Sequence, residues 1–156
     1  MADIVSPAKR SRMMAGIKGK NTKPEILIRQ MLHKRGFRFR LHRKDLPGRP
    51  DIVLPKYNSV IFVNGCFWHG HEDCKLFRYP KSRTGFWKTK IEGNKRRDKE
   101  KLAKLRPDWR VLVVWECAVK GSQKLEAGTL EELVCGHLSG ATGYSVIRGR
   151  ELLSDT

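Results

Sequence analysis

Apolar positions along the chain alternate between a helical period and short continuous runs, and the changes of period mark the elements. NTKPEILIRQMLHKRG, from Asn21 to Gly36, reads as a helix. Asn21 or Thr22 can cap it, Pro24 suits its first turn and Gly36 ends it. Ile28, Met31, Leu32 and Arg35 share one face with Leu27 beside them, which makes the helix amphipathic. FRFRLH then alternates as a strand does, LPGRP breaks the chain, DIVLP is a short apolar strand and KYNS a turn. SVIFVN, from Ser59 to Asn64, is continuously apolar, the pattern of a strand covered on both faces at the centre of a sheet.

Beyond a loop that holds two cysteines, Thr84 to Leu105 fits a long charged helix. It is amphipathic through Phe86, Ile91, Leu102 and Leu105, with Gly93 weakening its middle. RPDW turns the chain into RVLVVWE, a second continuously apolar strand. TLEELVCGHL is a short helix with Thr129 as its expected cap, and the remainder, rich in Gly and Ser, is weakly specified. The order is helix, three strands, helix, strand, helix, with no internal repeats. The first strands are close enough for hairpins, and the long helix is a crossover that can set the last strand parallel to a neighbour. The expected class is α/β with a mixed central sheet flanked by helices.

Composition narrows the partner. The chain has 156 residues, with 33 Lys and Arg against 16 Asp and Glu, a formal charge of +17. This length suits one domain, expected over residues 21–156. Residues 1–20 read as a basic arm through Lys9, Arg10, Arg12, Lys18 and Lys20. So large a cationic excess fits a polyanion, nucleic acid first, through phosphate contacts and counterion release; a merely soluble basic protein is the plain alternative. No stretch approaches the ~20 apolar residues of a membrane span, and the first twenty residues lack the apolar segment of a secretory signal. The expected compartment is the cytosol, without a membrane partner. Cys66, Cys74, Cys117 and Cys135 are there metal ligands or free thiols sooner than disulfides.

Candidate chemistry concentrates in VNGCFWHGHEDC, Val63 to Cys74. Cys66, His71 and Cys74, with Cys117 at the end of the last apolar strand, make a three-cysteine, one-histidine set of the kind that closes a tetrahedral zinc site. His69 is an alternative ligand, and the imidazole outside the cluster is free for other work. Buried thiols beside an exposed histidine are the bland account, and Cys135 fits a small core residue. Asp51 opens a short apolar strand beside the one ending at Val63–Asn64. A carboxylate there, next to free carbonyls, can hold Mg²⁺, although Asp after Pro is commonly a turn or cap residue. His69 can act as general acid or base. Glu25 lies in the first turn of the first helix, where an acid is also simply favourable.

The blocks LPGRPDIVLP, VIFVNGCFWHGH, TGFWKTKIEGN, RRD and WRVLVVWECAV stand in the order that resembles the very-short-patch repair (Vsr) mismatch endonucleases, over about Ser11 to Leu138. That resemblance implies a restriction-endonuclease-like core with an altered PD-(D/E)xK site and a structural Zn²⁺. It also implies Mg²⁺-dependent nicking of double-stranded DNA 5′ to the thymine of a T:G mismatch, left by deamination of 5-methylcytosine. It makes Asp51 the metal-binding carboxylate, with the Val63 carbonyl as a second Mg²⁺ ligand. His69 becomes the catalytic histidine, and Glu25 an acid that orders water around the ion. Cys66, His71, Cys74 and Cys117 become the zinc ligands, and Phe67, Trp68 and Trp87 rings that wedge into the duplex.

Two departures stand out. Asn64 occupies a position where family members carry histidine; it can donate a hydrogen bond but cannot transfer a proton. The second cysteine of the knuckle falls one residue late, as a loop insertion would place it. A MutL-type repair protein is the partner the resemblance suggests, and one mispaired thymine suits a monomer. The other readings are a restriction-type or strand-nicking endonuclease without a mismatch requirement, and a zinc-stabilised DNA-binding protein without catalysis.

Overall fold

In the computed structural model, residues 21–150 are described; the expected basic arm, residues 1–20, lies outside them. Helix α1 spans Lys23–Lys34, β1 Arg40–Leu41, β2 Ile52–Leu54, β3 Ser59–Asn64, α2 Thr84–Leu105, β4 Arg110–Trp115, α3 Ala127–Ser139 and β5 Tyr144–Ile147. The sheet runs β1-β2-β3-β4-β5, so the chain lays down its strands in spatial order. The first two pairings are antiparallel, while β3–β4 and β4–β5 are parallel, each closed over a helix. The mixed α/β sheet flanked by helices is as the apolar pattern implies.

Period-two alternation divides the core between the two faces of the sheet. Ile52, Leu54, Ile61, Leu112 and Val114 point to one face, where Ile28 and Leu32 of α1 and Leu130, Val134 and Leu138 of α3 cover them. Val53, Val60, Phe62, Val111 and Val113 point to the other and meet Leu105 of α2. Strands β3 and β4 are apolar at successive positions because both of their faces are covered.

Helix α1 begins at Thr22, whose Oγ1 accepts the Glu25 N–H at 3.3 Å, with Pro24 in the first turn. Gly36 follows its end in the left-handed region at φ +82. Its buried face is narrower than the apolar pattern suggests. Ile28 and Leu32 are buried, Leu27 is 39% exposed, and the third buried position is Glu25. Helix α2 runs unbroken through Gly93, with Ile91 and Leu105 inside and Phe86 exposed.

Two expectations fail and a third is met only in part. Thr129 is not a cap: α3 starts at Ala127 behind Glu126, and no side chain caps it. The Gly- and Ser-rich tail contains strand β5, whose four residues, half exposed at the sheet edge, lack the apolar run of β3 and β4. Phe37–His42 forms only a two-residue strand, because His42 turns into the left-handed region at φ +46.

Leu112 is fully buried in a central strand. Leu112→Ala is therefore predicted to cost about 2–5 kcal/mol. Urea unfolding should report it as a lower midpoint with an unchanged slope.

Candidate active site and metal centre

The parallel register of β3 and β4 decides where the cysteines go. Ser59 pairs with Arg110 and Asn64 with Trp115, and the same offset continued past the strands sets Cys66 beside Cys117. The Cys117 N–H donates to Cys66 Sγ at 3.3 Å, and the Gly149 N–H donates to Cys117 Sγ at 3.2 Å. His71 Nδ1 lies 3.5 Å from Cys66 Sγ and 3.6 Å from Cys117 Sγ. With Cys74, the four ligand atoms fall within 4.8 Å of one another.

This donor set fits a single cation. Sulfurs that accept backbone N–H bonds are held as thiolates would be, yet burial pushes the Cys66 and Cys117 thiols up. A positive ion reconciles the two. Burial, then the nearby Arg148 charge, pushes His71 down to about 4, so its imidazole is neutral, as a ligand must be. Trp115 stacks on that ring, 3.9 Å between centroids and 5° between planes. Arg148 donates to the carbonyls of Glu72 (3.2 Å) and Asp73 (2.6 Å), so the segment after β5 closes the knuckle. Only glycine fits at 149, where a Cβ would stand 2.5 Å from the Cys117 carbonyl oxygen.

Asp51 and Glu25 meet at the same end of the sheet, where β2 begins beside the end of β3. The Val63 N–H donates to Asp51 Oδ2 at 2.7 Å. In an antiparallel ladder a residue's N–H and C=O face the same neighbour, so the Val63 carbonyl is turned to the Asp51 side as well. Burial is the main cause that lifts the Asp51 carboxyl to about 7; Glu25 adds to it, while the Val63 N–H and Lys101 oppose it. Glu25, 1% exposed, accepts from the Asn21 N–H at 3.0 Å and from the Arg29 guanidinium, and touches His42 Nε2 at 2.9 Å. Glu25, His42 and Asp51 present ligand atoms within 4.8 Å of one another. A buried and a half-buried carboxylate side by side repel unless a proton or cation joins them, and this donor set fits a divalent ion.

His69 stands apart from both clusters. Its Nδ1 lies 2.6 Å from Asp98 Oδ2 on α2, and Lys101 Nζ is 3.1 Å from the other Asp98 oxygen. Burial alone would raise Asp98, but the His69 hydrogen bond and the two neighbouring charges outweigh it and hold the carboxyl below its usual range. An ionised Asp98 can only accept, so Nδ1 of His69 is its donor, and in the neutral ring Nε2 is the acceptor. Lys101 also bears on Asp51 and so links the two groups.

One face of α2 sets this whole loop. Trp87, Ile91, Asn94, Asp98 and Lys101 recur at helical spacing. Trp87 packs on Phe67 and Trp68, centroids 5.4 and 5.9 Å away. Asn94 Nδ2 donates to the Trp68 carbonyl at 2.8 Å, and Asp98 takes His69. Ile91 meets Gly70, which sits at φ +58 where a Cβ would come 2.6 Å from its Cγ2. Phe67, Trp68 and Trp87 are half-buried against each other and belong to neither core cluster. Phe67 and Trp68 line a cleft of about 730 Å³ with Thr22, Pro24 and Asn64. His69 lines a different one, of about 380 Å³, with Asn94, Arg97, Asp98, Lys101 and Lys104. Asn64 is 6% exposed at the end of β3.

The structure thus brings together Glu25 with Asp51 and Val63, the four knuckle residues, and the three rings. It leaves His69 and Asn64 outside the acidic group. Sequence reading missed Asp98, Asn94 and Lys101, although their spacing from Trp87 and Ile91 was visible. It also missed His42, which nothing local marks.

Fold and sites define a class: a strongly basic mixed α/β protein in which one end of the sheet gathers two groups of side chains of metal-ligating type. The family profile of the DNA mismatch endonuclease Vsr matches residues 2–76. Across 128 residues the chain is 52% identical to the type II nicking enzyme V.XorIIP of Xanthomonas oryzae pv. oryzae, covering 81% of this chain and 93% of that one. It is 44% identical over 159 residues to the DNA mismatch endonuclease Vsr of Escherichia coli, covering 99% and 100%. To the type II nicking enzyme V.NmeAIP of Neisseria meningitidis it is 47% identical over 121 residues, covering 77% and 86%. The chain belongs to the DNA mismatch endonuclease Vsr family.

Stripping metal with a thiol-competing chelator, or Cys117→Ser, is predicted to lower the thermal midpoint on the order of 10 °C. An unchanged midpoint would show that the four ligands pack without an ion.

Proposed function

We propose that this protein is a Mg²⁺-dependent endonuclease that nicks double-stranded DNA 5′ to the thymine of a T:G mismatch and so begins very-short-patch repair. One observation carries the reading: a single loop, pinned to one face of α2, presents two aromatic rings and an aspartate-held histidine, and Lys101 of the same face bears on both that aspartate and Asp51 of the carboxylate pair.

Each group has a task suited to its setting. Asp51, Glu25 and the Val63 carbonyl hold the divalent ion, which when bound supplies Lewis-acid stabilisation at the scissile phosphate. His69 takes the proton of the attacking water at Nε2, because Asp98 fixes the opposite nitrogen as the donor. Lys101, between Asp98 and Asp51, faces the charge that develops on phosphorus oxygens. Asn64 donates a hydrogen bond at the strand end and moves no proton, so acid and base work both rest on His69 and water. Phe67, Trp68 and Trp87 part the stack at the lesion. Unstacking costs a few kcal/mol, and least at a mispair, which is where selectivity arises.

The remaining parts fit this reading. Cys66, His71, Cys74 and Cys117 bind a structural Zn²⁺, since four protein ligands leave no position for substrate. Residues 21–156 form one restriction-endonuclease-like domain behind a basic arm, 1–20. The enzyme works in the cytoplasm as a monomer on DNA, with a MutL-type protein as repair partner. Among the described residues no helix is long and apolar enough to cross a membrane. Relatives named type II nicking enzymes favour a second reading, strand nicking without a mismatch requirement.

Single-turnover cleavage of end-labelled duplexes with Mg²⁺ separates the two. A single nick 5′ to the mispaired T is expected, absent from the matched C:G duplex and from Asp51→Ala; equal cutting of both duplexes would favour the second reading. Trp68→Ala should erase the preference between duplexes. Asp98→Asn should lower the cleavage rate about 10²–10⁴-fold with DNA affinity retained, the range that general acid–base catalysis contributes.

A further inference from the structure

His42 belongs to no part of the mechanism above, yet it is built into the acidic site. Its backbone lies in the left-handed region at φ +46, where residues other than glycine are uncommon. Its N–H donates to the Asp51 carbonyl at 3.3 Å, tying it to the residue that opens β2. Its ring reaches inward, with Nε2 2.9 Å from Glu25 Oε2 and 3.3 Å from Arg29 Nη2.

Both hydrogens of Arg29 Nη2 go to Glu25 Oε2 and Asn21 Oδ1, so the Arg29 contact asks nothing of the ring, and Nε2 faces a carboxylate oxygen that can only accept. A cation can stand in place of the proton between them, taking the lone pair of Nε2 and the carboxylate oxygens together; the 2.9 Å between Nε2 and Oε2 matches the about 3 Å between neighbouring ligands of an octahedral Mg²⁺. The spacing allows it: Mg²⁺ holds its ligands at about 2.1 Å, so ligands on opposite sides of one ion stand about 4.2 Å apart. The ligand atoms of Glu25, His42 and Asp51 lie within 4.8 Å. Arg29 supplies the positive charge when no ion is bound. Its guanidinium is also bonded to Asn21 Oδ1 at 2.8 Å, an exposed contact.

We propose that His42 Nε2 is a direct ligand of the divalent ion held by Glu25 and Asp51, so that the site offers two carboxylates and one imidazole. The inference rests on the reading of Asp51 and Glu25 as a cation site. Nitrogen among the donors biases the site towards transition ions. Carboxylate and water suit Mg²⁺ and Mn²⁺ alike, whereas imidazole suits the later metals. The protein therefore prefers Mn²⁺ to Mg²⁺ more strongly than an all-oxygen site would.

Mn²⁺ alone, added to the full-length chain without DNA, tests this. Its binding is followed by loss of the free-ion paramagnetic resonance signal, and its donors by spin-echo modulation from ¹⁴N. Bound Mn²⁺ in the unaltered protein should show ¹⁴N modulation. His42→Asn tolerates the left-handed backbone but is too short to reach; it should lose the modulation, weaken Mn²⁺ by about ten-fold or more, and lower the Mn²⁺ preference over competing Mg²⁺. Bound Mn²⁺ without ¹⁴N modulation in the unaltered protein would overturn the proposal, whatever the variant does. Modulation that persists in His42→Asn would overturn it too. Asp51→Asn separates the underlying reading: if it binds Mn²⁺ as the unaltered protein does, the carboxylate site itself fails. If it loses binding while His42→Asn does not, only the role of His42 fails.

Discussion

The parallel ladder between β3 and β4 is the constraint on which both sites depend. Six residues of each strand pair in one register, and everything at this edge of the sheet inherits it. Carried two residues beyond the ladder, the register sets Cys66 against Cys117 and so fixes where the knuckle closes. At β2, the ladder's antiparallel neighbour, the register brings the Val63 N–H onto the Asp51 carboxylate. A slip of one residue would turn Val63 and Asn64 over and separate the pairs, and it would also carry Ile61 and Leu112 off their core face. The core therefore enforces the register, and the register places the chemistry.

Helix α2 supplies the second coordinate. A loop tied only at Cys66 would still be free to rotate about its ends. The stripe Trp87, Ile91, Asn94, Asp98 removes that freedom at four points: a ring, a glycine contact, a carbonyl and an imidazole. The polar members of the stripe are as structural as the apolar ones. Rigidity of this kind is what a catalytic imidazole needs, since small misplacements cost orders of magnitude in rate.

How much of this the chain discloses depends on how local the cause is. Helix α1, helix α2 and strands β3 and β4 are legible, because caps, period and continuous apolar runs are properties of a few adjacent residues. Strand β5 is not: it lies at the sheet edge, half exposed, and its pairing with β4 comes from tertiary contact that no local pattern records. The same division runs through the candidate site. Cys66, His71 and Cys74 are readable as a set, since a single loop of nine residues, Cys66 to Cys74, holds them together. Asp98 was hidden because the apolar stripe Phe86, Ile91, Leu102, Leu105 drew attention away from it, and one acid among three on a charged helix reads as a solvated one. His42 was hidden for a deeper reason. Its importance lies in a left-handed backbone turn and in the approach of α1, and neither is visible in FRFRLH.

Charge explains why the acidic group is buried at all. On a surface with an excess of seventeen positive charges, exposed carboxylates would be neutralised by lysines and arginines and would compete with phosphate for them. Burying Glu25 in the first turn of α1 and half-burying Asp51 at the start of β2 leaves them few cationic neighbours, Arg29 and Lys101 among them. It also makes each costly to ionise beside the other, so that Asp51 rises to about 7. The two effects act together. A basic surface gathers the polyanion, while a buried, mutually repelling acid pair gains most by taking up a compact divalent ion. Arg29, held by Glu25 within the same helix, offsets part of the charge of the pair.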